Sequence, residues 1–260
     1  MKKTGKKNKK EFLKSFGSIV LLLALVLFAV FVSQILVARI MVLFLGDKVN
    51  QPLPLAIFSA LSYVLAIIMI VWLPPVIKAK REKKKLSKNS INRTEIGLHG
   101  YLTWTDIGLS LVGFIAYWIF ASVLTALFAE LAPWFDATEP QEVGFSFYSS
   151  GVDRLIAFLS LVVVAPVAEE IIFRGWLYGK MRSKLSKTTS NTWSIIISTL
   201  LVSLAFGLVH LQWNVGINVF AMSIILCLIR EVTGTIYADI LVHMIKNGLA
   251  FYLLFILGIS

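Results

Sequence analysis

Cysteine, histidine and charge are all scarce in this chain. A single cysteine, Cys227, excludes an internal disulfide and any cysteine-built zinc cluster. Only three histidines are present, at positions 99, 210 and 243. Charged residues make up 15% of the 260, against about 25% in an ordinary soluble domain. Hydrophobic residues make up 58%, and several apolar runs exceed the ~18 residues that mark a membrane span. Internal repeats are also missing, and with them the paired, interrupted helices of inverted-repeat transporters. The composition predicts an all-α, polytopic transmembrane helix bundle.

What charge there is has one sign, +11 net, and it is clustered. Nineteen of the twenty-five Lys and Arg residues fall in 1–14, Lys78–Trp104 and Gly179–Ser190, all flanking apolar runs. No aromatic residues interleave these stretches, which argues against nucleic acid as a partner. The pattern is the positive-inside signature, with attraction to anionic lipid heads. Seven spans are expected, with an eighth if one long run is split: Ser15–Gly46, Leu53–Ile77, Thr105–Ala132, Arg154–Tyr178, Asn191–His210, Asn214–Arg230 and Ile236–Ile259. The first contains Arg39 and is expected to be tilted or broken. It is too long for the apolar region of a signal peptide, so it reads as a retained span. The loop Pro133–Asp153 holds only acidic charge, which puts it outside and the N-terminus in the cytoplasm. The Lys78–Trp104 loop reads as a solvated tether. Two regions follow: 1–104, with N-terminal spans and basic segments, and 105–260, a C-terminal membrane core.

The chemistry-bearing residues concentrate in that core. Glu169, Glu170 and Arg174 lie inside the apolar run Leu155–Tyr178. A charge at bilayer depth costs roughly 2.5–3.5 kcal/mol on insertion scales, so three in one span call for a use. The bland alternative is an interfacial helix touching headgroups. Glu170 and Arg174 are spaced i,i+4 and can pair. Pro166, one turn earlier, removes a helix hydrogen bond and predicts a kink there. His210 follows Phe206 by one turn, and His243 precedes Asn247 by one turn. A lone helical histidine is more often a satisfied core residue than a ligand. Two of them with an Asn and two Glu, on separate apolar helices, point instead to mutual partners, since buried polar groups need them. A desolvated carboxylate can take a proton from water, imidazoles can hold that water or a metal, and an amide can stabilise an oxyanion. No Ser–His–acid pattern stands out. The set favours hydrolysis by water over a covalent intermediate.

The stretches EEIIFRG (Glu169–Gly175), FGLVH (Phe206–His210) and HMIKN (His243–Asn247) resemble, in order and in separate spans, the EExxxR, FxxxH and HxxxN/D motifs of the CAAX-protease and bacteriocin-processing family. This is the Abi group of intramembrane endopeptidases, kin to the eukaryotic enzyme that trims prenylated CAAX proteins. The resemblance covers roughly 153–248, and Arg230–His243 is similar to the family's lead-in to its last histidine. It implies Glu169 as general base, His210 and His243 as holders of water or metal, and Asn247 as oxyanion donor. Glu170, Arg174 and Phe206 would support the site. Asp239, one turn before His243, is either an acid that orients its imidazole or a residue at the headgroups. Lys246 has no evident partner and is expected to snorkel. Glu169, His210 and His243 would form a common zinc set, so zinc is open. A metal-free reading, with no cofactor, is preferred because the Glu–His–His–Asn set supplies base and oxyanion donor unaided.

The expected function is a membrane-embedded endopeptidase of the cell membrane, acting on a peptide or protein substrate near the bilayer. The family implies CAAX proteins, leader peptides, pheromones or bacteriocin-related substrates. The alternatives are a non-catalytic membrane protein, for bacteriocin immunity or regulation of a sensor kinase, and a proton-coupled transporter. The second lacks the polar residues it needs in its N-terminal half.

Overall fold

The structure is a computed structural model that describes residues 2–83, 93–139, 141 and 151–258, with side chains from Phe16 onward. Seven helices are long and apolar enough to cross a membrane: α1 (Phe16–Asn50), α2 (Pro52–Arg81), α3 (Trp104–Leu131), α4 (Gly151–Leu185), α5 (Asn191–Leu208), α6 (Trp213–Thr233) and α7 (Tyr237–Leu257). No strand occurs among the described residues. The chain is a multi-pass membrane protein.

Local chemistry explains most boundaries. Thr103 and Asp106 form a capping box at the start of α3, with the Thr103 N–H donating to Asp106 Oδ2 at 2.8 Å and the Asp106 N–H to Thr103 Oγ1 at 3.2 Å. Gly234, at φ +73°, ends α6 in the left-handed conformation that only glycine adopts without strain. The helix of α1 runs unbroken through Arg39 to Leu45, so the expected break falls later, in a tight 3₁₀ turn over Gly46–Asn50. The seventh span was expected to reach Ile259, which lies outside the described residues.

Among the described residues four segments are π-helical; Ile171–Tyr178 and Tyr252–Leu257 have no proline, and the other two lie next to one. The segments Ile68–Trp72 of α2 and Leu159–Val164 of α4 are π-helical, and they immediately precede Pro74 and Pro166. A proline ring clashes with the carbonyl four residues back and offers no N–H. One extra residue in the turn relieves that clash, so the kink expected at Pro166 takes the form of a π-bulge.

Packing draws α1 and α2 into the same core as the C-terminal helices. Ile19, Val26, Ala66 and Ile70 pack with Phe173, Leu177, Phe206 and Met222. The outer surface is apolar, with Val112, Ile115 and Leu43 all exposed, as a lipid-facing wall requires. Exposed Trp104 and Trp193 begin α3 and α5 at the basic end, while Trp134 and Trp213 pack edge-on at 5.2 Å at the acidic end. These are the two aromatic belts of a spanning bundle.

The loop before α3 is not a free tether along its whole length. Residues 84–92 lie outside the described residues, but the stretch around Glu95–Gly97 docks on the bundle. Lys180 pairs with Glu95 at 2.5 Å, the Arg230 guanidinium donates to the Glu95 carbonyl at 3.4 Å, and the Ile236 N–H donates to the Gly97 carbonyl at 3.1 Å. Gly175 permits this approach, since a Cβ there would stand 2.8 Å from the Ile96 carbonyl oxygen. The acidic loop is only partly described, because residues 140 and 142–150, Glu142 among them, lie outside the described residues.

Candidate active site

The site lies at mid-bundle, where α2, α4, α7 and the turn after α5 meet. The Pro166 bulge delivers α4 to its two glutamates. Glu170 and Arg174 are both fully buried and pair at 3.1 Å, as their spacing predicts. The Arg174 guanidinium also sits 4.3 Å above the centre of the Phe206 ring, so the FGLVH phenylalanine caps the cation while its own helix presents His210.

Glu170 does more than pair with arginine. Its Oε1 also accepts from His243 Nδ1 at 2.8 Å. A carboxylate accepts, so Nδ1 carries the proton and Nε2 keeps its lone pair. That Nε2 lies 3.7 Å from Glu169 Oε2. The role considered for Asp239, orienting His243, therefore belongs to Glu170. Asp239 is fully buried, which excludes headgroup exposure, and neither of its carboxylate oxygens has a hydrogen-bond partner among the described residues. It stands within electrostatic range of Glu170, Asp106, Arg174 and Arg230, giving a buried set of three acids and two arginines.

Tyr63 of α2 completes the setting of Glu169. Its hydroxyl donates to Glu169 Oε1, leaving Oε2 to face His243. The sequence reading missed this residue because it treated the N-terminal spans as surroundings. A signal existed: Ser59, Ser62, Tyr63 and Ala66 fall at i, i+3, i+4 and i+7, a small and polar stripe on one face of an apolar helix.

His210 lies outside the helix in which it was expected. α5 ends at Leu208, and His210 sits in the following turn beside Leu211, whose φ of +57° is unusual for a branched residue. His210 Nδ1 donates to the Phe206 carbonyl at 2.8 Å, so its Nε2 also keeps a lone pair. The His210 and His243 rings both meet Phe206, at 5.0 and 5.9 Å. Asn247 is held too. Its Nδ2 donates to the Leu161 carbonyl at 2.8 Å. In the π register that carbonyl would bond the N–H of residue 166, and proline has none. One amide hydrogen of Asn247 is thus spent on the bulge, and one remains.

Glu169, His210 and His243 are the residues that could hold a metal. Among the described residues, no three His, Cys, Asp or Glu side chains are gathered as a metal-holding group. Tyr63 occupies only Oε1 of Glu169 and Glu170 only Nδ1 of His243, so these supporting bonds leave Glu169 Oε2 and His243 Nε2 as the atoms that would hold a metal.

The fold and site together define a polytopic helical membrane protein with a carboxylate–imidazole pair at its centre. Residues 151–249 match the sequence model of the family described as Type II CAAX prenyl endopeptidase Rce1-like, and all three motifs lie within that segment. No curated protein and no solved structure matches the chain.

Proposed function

We propose that this protein is a membrane-embedded endopeptidase of the cell membrane that cleaves a membrane-proximal protein or peptide with water activated by Glu169. The observation that carries this reading is the 3.7 Å approach of Glu169 Oε2 to His243 Nε2, two acceptors facing each other beside buried supports. One water molecule can donate a hydrogen to each. Its lone pair is then left to attack a scissile carbonyl, and Glu169 takes the proton in the transition state. Tyr63 fixes the Glu169 rotamer, and Glu170 fixes the His243 tautomer. The remaining Asn247 amide hydrogen donates to the developing oxyanion. His210 Nε2 can accept from the substrate's amide N–H. The protonated Glu169 returns its proton to the leaving amine. The family's CAAX specificity makes a peptide with a modified cysteine near its C-terminus the first substrate to try.

The test is cleavage of a fluorogenic prenylated CAAX peptide by purified protein in liposomes. Glu169→Gln keeps size and polarity but removes the base. Its rate should fall roughly 10²-fold or more, with folding and insertion intact. Cleavage by Glu169→Gln at the wild-type rate would overturn the mechanism.

A further inference from the structure

A cavity of about 560 Å³ lies between α3, α6 and α7, and it is not part of the carboxylate–imidazole pair. Its size is that of ordinary ligand pockets, roughly 300–1,000 Å³. Leu249, Leu253 and Phe114 give it apolar walls, while Ser122, Thr125 and Asn218 add neutral polar groups. A hydrogen bond of 2.7 Å from the Tyr117 hydroxyl to Asn218 Oδ1 ties α3 to α6 across one wall. Among the described residues, the only charged one in its lining is Lys246.

Lys246 was expected to snorkel to the membrane surface. Instead it faces this cavity, inside the bundle. It makes no hydrogen bond or ion pair among the described residues, although it stands within electrostatic range of Glu169 and His210. It follows His243 by three residues, about 4.5 Å along the helix, and precedes Asn247 by one. The cavity therefore adjoins the proposed water site. An ammonium at bilayer depth is costly unless something compensates its charge.

We propose that this cavity is the substrate subsite next to the scissile bond, and that the Lys246 ammonium receives a carboxylate of the bound peptide. The proposal rests on the endopeptidase reading. The described lining selects the ligand: its one cation, neutral hydroxyl and amide groups, and apolar walls fit a short aliphatic peptide with one negative charge. That charge is either the C-terminal carboxylate or an acidic side chain near the C-terminus. In both cases Lys246 is a binding residue and sets where the peptide stops relative to Glu169.

The test uses the full-length protein in liposomes and three versions of one fluorogenic prenylated CAAX peptide: the free acid, its C-terminal amide, and the amide with glutamate as its last residue. Wild type should prefer one carboxylate-bearing form over the plain amide by tenfold or more in kcat/KM, and the favoured form identifies which carboxylate is read. Lys246→Gln should bring that ratio towards one, and Lys246→Arg should keep it. Equal cleavage of all three forms by wild type would overturn the proposal, as would an unchanged ratio in Lys246→Gln. If wild type cleaves none of them, the endopeptidase reading fails for this substrate class. Peptide binding to Glu169→Gln, measured by fluorescence anisotropy, still reads the anchor: preference for a carboxylate form supports it, and equal binding sinks it.

Discussion

Glu169 keeps its two carboxyl oxygens in different company, one held by Tyr63 and one facing His243. A hydrogen bond to a charged group contributes about 1.5–3 kcal/mol, and here that energy is spent on orientation. Tyr63→Phe should therefore lower kcat on the order of tenfold, with little change in thermal stability, since every 1.4 kcal/mol of lost alignment is a factor of ten. A Tyr63→Phe enzyme as fast as wild type would show that Glu169 is held by other means. The metal-free expectation is tested at the same scale. His243 turns one nitrogen to Glu170 and the other towards Glu169, an arrangement that suits a water held by hydrogen bonds. Purified protein should stay active in chelator and carry no stoichiometric metal by elemental analysis. A stoichiometric metal that disappears in His243→Ala would reverse this while leaving the peptidase reading in place.

At the scale of the element, α4 is organised by its proline and its buried ion pair. Pro166 forces the π turn, the turn exposes the Leu161 carbonyl, and Asn247 of α7 closes on it. A local defect in one helix thereby becomes the register of two. Arg174 works in the same way on the other side of Glu170, where the buried acids Glu170, Asp239 and Asp106 stand near Arg174 and Arg230. Removing one member of a buried pair leaves its partner's charge uncompensated, at a cost of about 3–5 kcal/mol. Arg174→Ala should accordingly lower the melting temperature in detergent as well as activity. A melting temperature equal to wild type would mean that Glu170 and Asp239 are solvated.

At the scale of the whole molecule, the basic and acidic ends carry the orientation. The last turns of α4 carry Lys180, Arg182 and Lys184, with Lys187 just beyond, and the loop after α3 carries Asp136 and Glu139. The positive-inside rule predicts that the first lies in the cytoplasm, and with it the N-terminus. Cys227 is buried, so single cysteines can be introduced without replacing it. A membrane-impermeant maleimide should label Thr138→Cys on intact cells and Ser186→Cys only after permeabilisation. The reverse pattern would invert the topology, and with it the side from which substrate enters. The described lining of the cavity next to Lys246 includes Ala137 and Gln141, which puts its mouth at the acidic end.

The seven spans, the Glu170–Arg174 pair and the three motifs were legible in the sequence because each rests on local spacing. Twenty apolar residues span a bilayer wherever they occur, and an i,i+4 pair meets on any helix. Pro166 announced a distortion for the same reason, though not that the helix would widen. Partner choice across the bundle was not legible. Tyr63 meets Glu169 over 106 residues, His243 meets Glu170 over 73, and Asn247 meets Leu161 over 86. Each contact depends on the rotation and depth of whole helices against one another. Periodicity gives the apolar face of a helix but not the neighbour it meets. By spacing Asp239, one turn away, was the acid eligible for His243, and Glu170 was matched to Arg174. The packing of α7 against the widened turn of α4 selected Glu170, and it turned Lys246 from the lipid surface towards a cavity. The sequence by itself determined a membrane bundle and the residue types of its site, while the tertiary structure decided which oxygen faces which nitrogen, because only packing sets distances between helices.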